Sequence, residues 1–187
     1  MAEKTIAIEP QCMLHPDIKS GFNKNSASVT TQNGVKTIGK IENNSNNNYA
    51  ASQIASVSGS DFLANPKIHQ EVFGPFSIVV KSKNEAQLIE IINELDGQLT
   101  GTILAEEEDY SNLENVIDAL ENRVGRIIFN GVPTGVEVCP SMHHGGPYPA
   151  STDSRFTAVG THAIKRWVRP VSYQSFPNEL LPKGLQK

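Results

Sequence analysis

The chain has 187 residues, of which 38% are hydrophobic and 19% are charged. This length and composition suffice for one domain with a hydrophobic core and do not fit a disordered chain. The formal net charge is −4 and the Lys and Arg residues are dispersed, so we expect no nucleic-acid partner. The sequence has no apolar run near the roughly 20 residues of a membrane-spanning helix and no signal-peptide pattern. We therefore expect no membrane association and a cytoplasmic location.

The first sixty residues carry the weaker structural signals. A helix is predicted around residues 16–26, and the polar tract Asn43–Asn48 indicates a loop. Val35–Ile41 and Ala50–Val57 flank this tract and are rich in β-branched or alternating residues. They are predicted to form two strands that pair across the loop.

A regular alternation of strands and helices begins at residue 76. Phe76–Lys81 is a short apolar run, typical of a buried strand. A helix is predicted to follow, because Ser82 and Glu85 form a capping-box pattern and Gly97 provides a stop signal. The apolar face of this helix has the spacing i, i+3, i+4 and i+7 and comprises Leu88, Ile91, Ile92 and Leu95.

The same pattern then repeats. A strand is predicted at Thr100–Ala105, a helix before Gly125, and a third strand at Arg126–Asn130. The second helix has its apolar residues at Leu113, Val116, Ile117, Leu120 and Val124. This order of elements and the right-handed crossover rule predict an α/β fold with a partial doubly wound parallel sheet and flanking helices.

About thirty residues after Asn130 are rich in Gly and Pro, which excludes long regular elements. The segment leaves the carboxyl end of a parallel strand, where ligands bind in open α/β sheets, so we expect a functional loop. A short helix is predicted at Thr161–Trp167, followed by an extended segment at Arg169–Tyr173 and an irregular tail.

The segment Glu71-Val72-Phe73-Gly74-Pro75, just before the strand at residue 76, is a candidate ligand site. An ionised carboxylate can accept hydrogen bonds from both hydroxyls of a ribose, and a planar ring nearby can pack on a flat nicotinamide. These five residues alone are a weak signal and favour a surface Glu and a core Phe at the start of a strand.

Several motifs, in the same order and at compatible spacing, resemble the aldehyde dehydrogenase family. They are Asp61–Pro66, Glu71–Pro75, Phe129–Cys139, His144–Asp153, Arg155–Thr161 and Arg169–Gln174. The resemblance runs from about Met13 to the end of the chain and is strongest from Asp61 onward. Within the family, the sequence is most similar to the branch that contains alpha-ketoglutaric semialdehyde (2,5-dioxovalerate) dehydrogenases.

The resemblance implies a role for individual residues. Glu71 would be the ligand of the nicotinamide ribose, and Phe73 the packing partner of the nicotinamide ring. The strand end and the 132–150 loop would line the channel through which the aldehyde reaches the active site, with Asn130, Gly131, Cys139, Gly145 and Gly146 as the loop residues. His144–Pro147 departs from the commoner Phe-Gly-Gly loop of the family, so substrate contacts there are left open.

The resemblance also implies the chemistry of the parent enzyme. A cysteine thiolate attacks the aldehyde, a hydride passes to NAD or NADP, and a glutamate activates the water that hydrolyses the thioester. Cys12 lacks the Gly-Gln-x-Cys setting and lies too close to Glu71, so we expect a buried or half-buried thiol at a helix end. Cys139 has no identifiable base. No catalytic residue is therefore assigned in this chain.

Cys139, His143 and His144 together could suggest a metal site, since thiolate and imidazole suit zinc. A fourth ligand is not evident, so no metal site is predicted. The remaining histidines follow no pattern and are expected to be structural or exposed, namely His15, His69 and His162.

These inferences predict two regions. Residues 1–167 would form part of the catalytic domain, and 168–187 an oligomerisation strand and tail, with the cofactor-binding domain and the catalytic cysteine segment absent. The segment 169–173 resembles the strand that family members add to the sheet of a neighbouring subunit, so a homo-oligomer is expected.

The parent is predicted to oxidise a keto-acid semialdehyde to a carboxylate with NADP or NAD. The chain alone is predicted to bind no cofactor and to be inactive. A stand-alone, non-enzymatic α/β association domain stays open as the alternative.

Overall fold

The structure, a computed structural model, describes residues 2–41, 48–133 and 135–187. No helix in these ranges is long and apolar enough to cross a membrane. Most of the predicted Asn43–Asn48 loop lies outside the described residues. The elements in chain order are α1 (Ala2–Ile6), β1 (Gln11–Cys12), α2 (Pro16–Thr30), β2 (Lys36–Lys40), β3 (Tyr49–Ala50), β4 (Gln53–Ser58), α3 (Gly59–Ala64), β5 (Phe76–Lys81), α4 (Glu85–Glu94), β6 (Gly101–Ile103), α5 (Glu114–Glu121) and β7 (Ile127–Phe129).

The predicted helix near residue 16 is confirmed as α2 and extends further than expected. It begins at Pro16, whose missing N–H costs nothing at a helix start, and Nδ1 of His15 accepts a hydrogen bond from the Asp17 N–H at 3.2 Å. Phe22, Ser26 and Val29 form its buried face at helical spacing. This face anchors the N-terminal half of the chain to the sheet.

The central sheet has the strand order β2-β4-β5. The predicted pairing of the two N-terminal strands is confirmed, since β2 and β4 are antiparallel with a bulge between Thr37 and Gly39. β4 also pairs in parallel with β5, from Gln53 opposite Phe76 to Ser58 opposite Lys81. β4 is therefore covered on both edges, and Ile54 to Val57 are all buried.

A second parallel pair is formed by β6 and β7, with Gly101 opposite Ile127 and Ile103 opposite Phe129. The α/β class with parallel strands and flanking helices is thus confirmed. Adjacency of β5 and β6 in one ladder is not seen in the described residues, where β5 is the edge strand of its sheet and pairs with β4 over six register positions. A short antiparallel pair, β1 with β3, completes the described strands.

Helix α4 starts two residues later than a cap at Ser82 would place it. Asn84 is the N-cap, and its Oδ1 accepts from the Gln87 N–H at 3.0 Å. Oε1 of Gln87 accepts in return from the Lys83 N–H at 2.9 Å. Two overlapping sequences, Ser-x-x-Glu and Asn-x-x-Gln, can each cap the start of this helix, and the structure uses the second one.

Two hydrophobic clusters flank α4. Ile91 belongs to the larger cluster, with Phe22, Phe62 and Val72 among its members. Ile92, the next residue, belongs to the smaller cluster with Val116 and Ala119 of α5. Helix α4 therefore packs against both halves of the described chain.

The second predicted helix is shorter than its apolar spacing indicates. A 3₁₀ helix at Glu107–Asn112 precedes α5, which ends at Glu121. Val124 lies outside it, bridged in parallel to Gln98. The predicted helix at Thr161–Trp167 is a 3₁₀ turn at Ala163–Arg166, and the segment 169–173 makes no strand pairing in the described part of the chain.

Candidate functional site

The segment that precedes β5 alternates between core and surface. Val72 is 8% exposed and belongs to the larger cluster. Its neighbours Glu71 and Phe73 are both exposed, and the Phe73 ring is 63% exposed. Because successive side chains of an extended segment point to opposite sides, burial of Val72 directs the carboxylate and the ring outward together.

Gly74 fixes this segment against α2. Its φ is +140°, and a Cβ built there would lie 2.5 Å from Cδ2 of Phe22, which is itself buried. Only glycine meets both conditions. The next residue, Pro75, accepts a hydrogen bond from the Gln53 N–H at 2.9 Å, where the β4–β5 pairing begins. The orientation of Glu71 and Phe73 is thus set by the core below them.

A cavity of about 620 Å³ opens beside Glu71 and Phe73. Its apolar wall comes from α2, α3, β5 and α4 and includes Val29, Phe62, Ile78, Val80, Ile91 and Leu95. Polar groups lie among its other lining residues, which include Glu71 and Gln98. An apolar recess with a few polar groups is typical of a small-molecule site.

A second cavity, of about 530 Å³, shares Glu71 with the first. It adds the carboxylate of Asp96 and, from the Gly- and Pro-rich loop, Pro149 and Ala150. The structure therefore brings part of the predicted loop beside the predicted cofactor ligand, although they are far apart in sequence.

Close backbone contacts at glycine residues hold the Gly- and Pro-rich loop beside these cavities. A Cβ on Gly125 would lie 1.8 Å from the carbonyl oxygen of Gly145, and a Cβ on Gly146 would lie 2.3 Å from that of Gln98. The Gly97 N–H also donates to the carbonyl oxygen of Tyr148 at 3.2 Å. We call this set of contacts the glycine crossing. Both predicted loop glycines, 145 and 146, are buried in it.

Asn130 and Gly131 do not line the two cavities beside Glu71. Asn130 has φ +46°, and its side chain binds the backbone of Ala105. It lines a separate cavity of about 380 Å³ with Glu106 and Asp109. The structure therefore does not place the Asn130 end of the loop in the two cavities that Glu71 lines.

Neither cysteine lines the two cavities beside Glu71. Sγ of the half-buried Cys139 lies 3.4 Å from Oγ of Ser141, and Cys139 lies outside the three cavities described above. The expectation for Cys12 was wrong: it is exposed and lies in strand β1, paired with Tyr49, because the chain is extended here before α2 begins. Among the described residues, no group of three or more His, Cys, Asp or Glu side chains could hold a metal ion.

Sequence reasoning missed several polar residues near Glu71, namely His69, Gln70, Asp96 and Gln98. His69 has a structural role as well: its ring stacks on Phe62, and its Nε2 lies 2.7 Å from the Phe62 carbonyl oxygen. Asp96 and Gln98 lie in the connection from α4 to β6, at the amino end of the strand. Ligands in open α/β sheets are expected at the carboxyl ends of the strands, so no sequence signal pointed to these two residues.

The parallel strands and their packed helices define an α/β protein of the doubly wound type. The chain belongs to the aldehyde dehydrogenase family, whose model matches residues 27–169. Members of this family are oxidoreductases.

Two curated relatives match over the whole chain. It is 37% identical over 188 residues to alpha-ketoglutaric semialdehyde dehydrogenase 2 of Azospirillum brasilense. It is 39% identical over 192 residues to alpha-ketoglutaric semialdehyde dehydrogenase of Acinetobacter baylyi. All of this chain is covered in both comparisons, but the chain spans only 36% of the length of each relative.

Solved structures show the same fold. Delta-pyrroline-5-carboxylate dehydrogenase from Mycobacterium tuberculosis gives a TM-score of 0.63 at 16% identity, covering 91% of this chain and 32% of that one. Succinic semialdehyde dehydrogenase from Streptococcus pyogenes, solved in complex with NADP+, gives 0.57 at 21% identity, covering 72% of this chain and 28% of that one. The resemblance of the fold to aldehyde dehydrogenases is therefore independent of close sequence identity.

Proposed function

We propose that this chain forms the C-terminal part of the catalytic domain of an NAD(P)-dependent aldehyde dehydrogenase that oxidises a keto-acid semialdehyde to a carboxylate. Membership of the family supports the oxidoreductase chemistry. The names of the two curated relatives support the substrate class, and the 36% coverage of their length supports a part of a larger enzyme. We propose a cytoplasmic location for this enzyme, which cell fractionation can test.

The exposure of Phe73 beside Glu71 is the observation that carries the cofactor assignment. An aromatic ring that is 63% exposed, next to a buried valine and at a cavity, is available to a flat ligand. The exposed Glu71 carboxylate is an acceptor for a pair of hydroxyls. These residues fit the nicotinamide ribose and ring, and when bound the cofactor supplies the hydride acceptor.

The chain alone is proposed to be inactive. Neither cysteine lies in the cavities beside Glu71, and in the described parts of the chain neither thiol hydrogen-bonds to a His, Asp or Glu side chain that could act as a base. A dehydrogenase assay of the purified chain with NAD+ or NADP+ and several semialdehydes tests this, and no turnover is expected. Turnover that disappears in Cys12→Ser would show that Cys12 is a nucleophile and would overturn the proposal.

Cofactor binding is tested separately by calorimetric titration with NAD+ and NADP+. We expect little or no binding to the chain alone, because Glu71 and Phe73 contact only the nicotinamide half in the proposed assignment. If the chain binds the cofactor and Glu71→Gln abolishes this binding, the assignment of Glu71 as a cofactor ligand is supported. The proposal that the chain alone binds little or no cofactor would then be refuted. Sequencing the coding DNA upstream of Met1 then tests the larger enzyme directly.

The segment after residue 167 supports association with a second copy, the partner we propose for this chain. Trp167 and Val171 are 84% and 56% exposed, and the segment 169–173 lacks a strand partner in the described residues. Sedimentation analysis is expected to show an oligomer that dissociates in Val171→Lys. Val138→Lys is the matched control, since Val138 is 83% exposed in the loop. This exposed segment also favours the alternative, a non-enzymatic association domain.

A further inference from the structure

The residues between Glu137 and Glu179 have an unusual charge balance. Asp153 is the only acidic residue among them, whereas the whole chain has a formal net charge of −4. The basic residues in the same stretch are Arg155, Lys165, Arg166 and Arg169, together with three histidines at positions 143, 144 and 162. The chain thus concentrates positive charge in the region that follows the 132–140 part of the loop.

The structure gathers four of these side chains around one cavity. The cavity has a volume of about 220 Å³, and His143, Arg155, His162 and Lys165 line it together with Ser141. Three separate segments contribute, and no Asp or Glu lies among the lining residues. Every polar side chain in this group can donate a hydrogen bond, so the cavity is suited to an acceptor.

Asp153 pairs with one edge of Arg155 and offsets the charge of this guanidinium, so the net positive charge at the cavity comes from Lys165, while Arg155 still contributes hydrogen-bond donors. Nε of Arg155 donates to Oδ1 of Asp153 at 2.9 Å, and Nη2 donates to Oδ2 at 2.6 Å. The Arg155 backbone N–H adds a third hydrogen bond to Oδ1 at 3.0 Å. Nη1 of Arg155 makes no hydrogen bond to the described residues, so this group remains available beside His143, His162 and Lys165.

A further cation lies behind the wall of this cavity. Arg126 directs Nη1 to Sδ of Met142 at 3.6 Å, and Met142 lines the cavity. Nε of Arg126 is buried without a hydrogen-bond partner, and Arg126 forms no salt bridge within the described parts of the chain. An uncompensated guanidinium makes the potential at the cavity more positive.

From this geometry we propose that the cavity binds a compact oxyanion, of the phosphate or carboxylate type. Guanidinium and ammonium groups bind such anions through charge-assisted hydrogen bonds, and imidazole N–H groups add further donors. The volume suits a small ligand or the charged end of a larger one. The proposal concerns binding and does not depend on the dehydrogenase assignment.

Titration of the 187-residue chain with inorganic phosphate and with glutarate, each against chloride at equal ionic strength, tests the proposal. We expect saturable binding of at least one of them by calorimetry. Lys165→Gln and His162→Gln should each weaken it by about tenfold, the effect of losing one charge-assisted hydrogen bond. The stronger of the two ligands identifies a phosphate or a carboxylate as the natural group.

Lys183→Gln is the matched control, because it removes the same charge from an exposed 3₁₀ turn in the tail. Its affinity should equal that of the unaltered chain. Equal weakening by Lys165→Gln and Lys183→Gln would show a general charge effect and overturn the proposal. Absence of saturable binding of both anions would overturn it as well.

Discussion

The side-chain amide of Asn130 engages both backbone groups of Ala105. Its Oδ1 accepts from the Ala105 N–H at 2.9 Å, and its Nδ2 donates to the Ala105 carbonyl oxygen at 2.8 Å. The Asn130 N–H donates in addition to the Ile103 carbonyl oxygen at 2.8 Å. Asn130 thus extends the β6–β7 pairing through its side chain, at the point where the Gly- and Pro-rich loop begins.

Asn130→Ala is expected to lower the free energy of unfolding by about 1–3 kcal/mol, because it removes both amide hydrogen bonds and leaves a residue with positive φ. Asn130→Asp keeps the acceptor for the Ala105 N–H but sets a carboxylate oxygen against the Ala105 carbonyl oxygen, so it should also be destabilised at neutral pH. Urea unfolding of the three proteins measures these losses. An unchanged stability in either variant would contradict the two-bond contact.

Gly125→Ala is expected to destabilise the chain by about 1–3 kcal/mol, the range for overpacking, since its Cβ would meet the Gly145 carbonyl oxygen at 1.8 Å. Gly21→Ala provides the opposite case. Gly21 lies inside α2 with no atom within 4 Å of its Cβ, so alanine should stabilise by about 0.5–1 kcal/mol. Thermal unfolding measures both, and a neutral Gly125→Ala would refute the glycine crossing.

Phe73→Ser should leave the free energy of unfolding within about 0.5 kcal/mol, because an exposed ring contributes little to the core. Val72→Ala, one residue away, should cost about 1–3 kcal/mol from lost burial. Chemical denaturation of both variants tests the in-and-out alternation. A large loss of stability in Phe73→Ser would show that the ring has a structural role and weaken its assignment to a ligand.

Arg155 lowers the pKa of Asp153 from 3.8 to about 2, first through its side-chain hydrogen bonds, then through its backbone N–H and its charge. The pair's contribution to stability is therefore present above the ordinary pKa and is lost as the pH falls from about 4 towards 2. Arg155→Gln should return the Asp153 pKa towards 3.8 in an NMR titration of its carboxyl carbon. Arg166→Gln, which removes only a more distant charge, should raise this pKa less, and an equal rise would be inconsistent with the hydrogen-bonded pair.

Local signals in the sequence located most of the elements. β5 and α4 were predicted from an apolar run and a helical spacing, and the structure confirms both with a shift of the α4 cap from Ser82 to Asn84. The shift arises because both residues can cap a helix, and only the position of the first packed turn decides between them.

Long-range relationships were not predictable in the same way. The pairing of β4 with β5 joins segments about twenty residues apart, and neither strand sequence indicates it. A buried strand is an apolar run whichever strand it pairs with. The loop glycines 145 and 146 were recognised as breakers of regular structure. Their contacts with Gly125 and Gln98 depend on how the loop returns across the strands, which local sequence does not encode.

The site formed by Glu71 and Phe73 was only partly predictable from the sequence. Burial of Val72 turns the side chains of Glu71 and Phe73 to the same exposed side, which follows from neighbouring residues alone. The cavity beside them depends on the packing of α2, α3 and α4, which are separate segments of the chain. Their roles as cofactor ligands stay predictions that the titrations described above can test.

Two adjacent residues of α4 belong to different hydrophobic clusters: Ile91 lies in the larger one and Ile92 in the smaller one. The two parallel strand pairs lie in separate ladders, and α4 contacts both clusters in the described residues, so we expect loosening of one half to reach the other through this helix. Damage to α5, remote in sequence from Glu71, is then expected to reach the cavity wall at Ile91 and Leu95. The cooperativity of unfolding in this chain therefore depends on a helix of only ten residues.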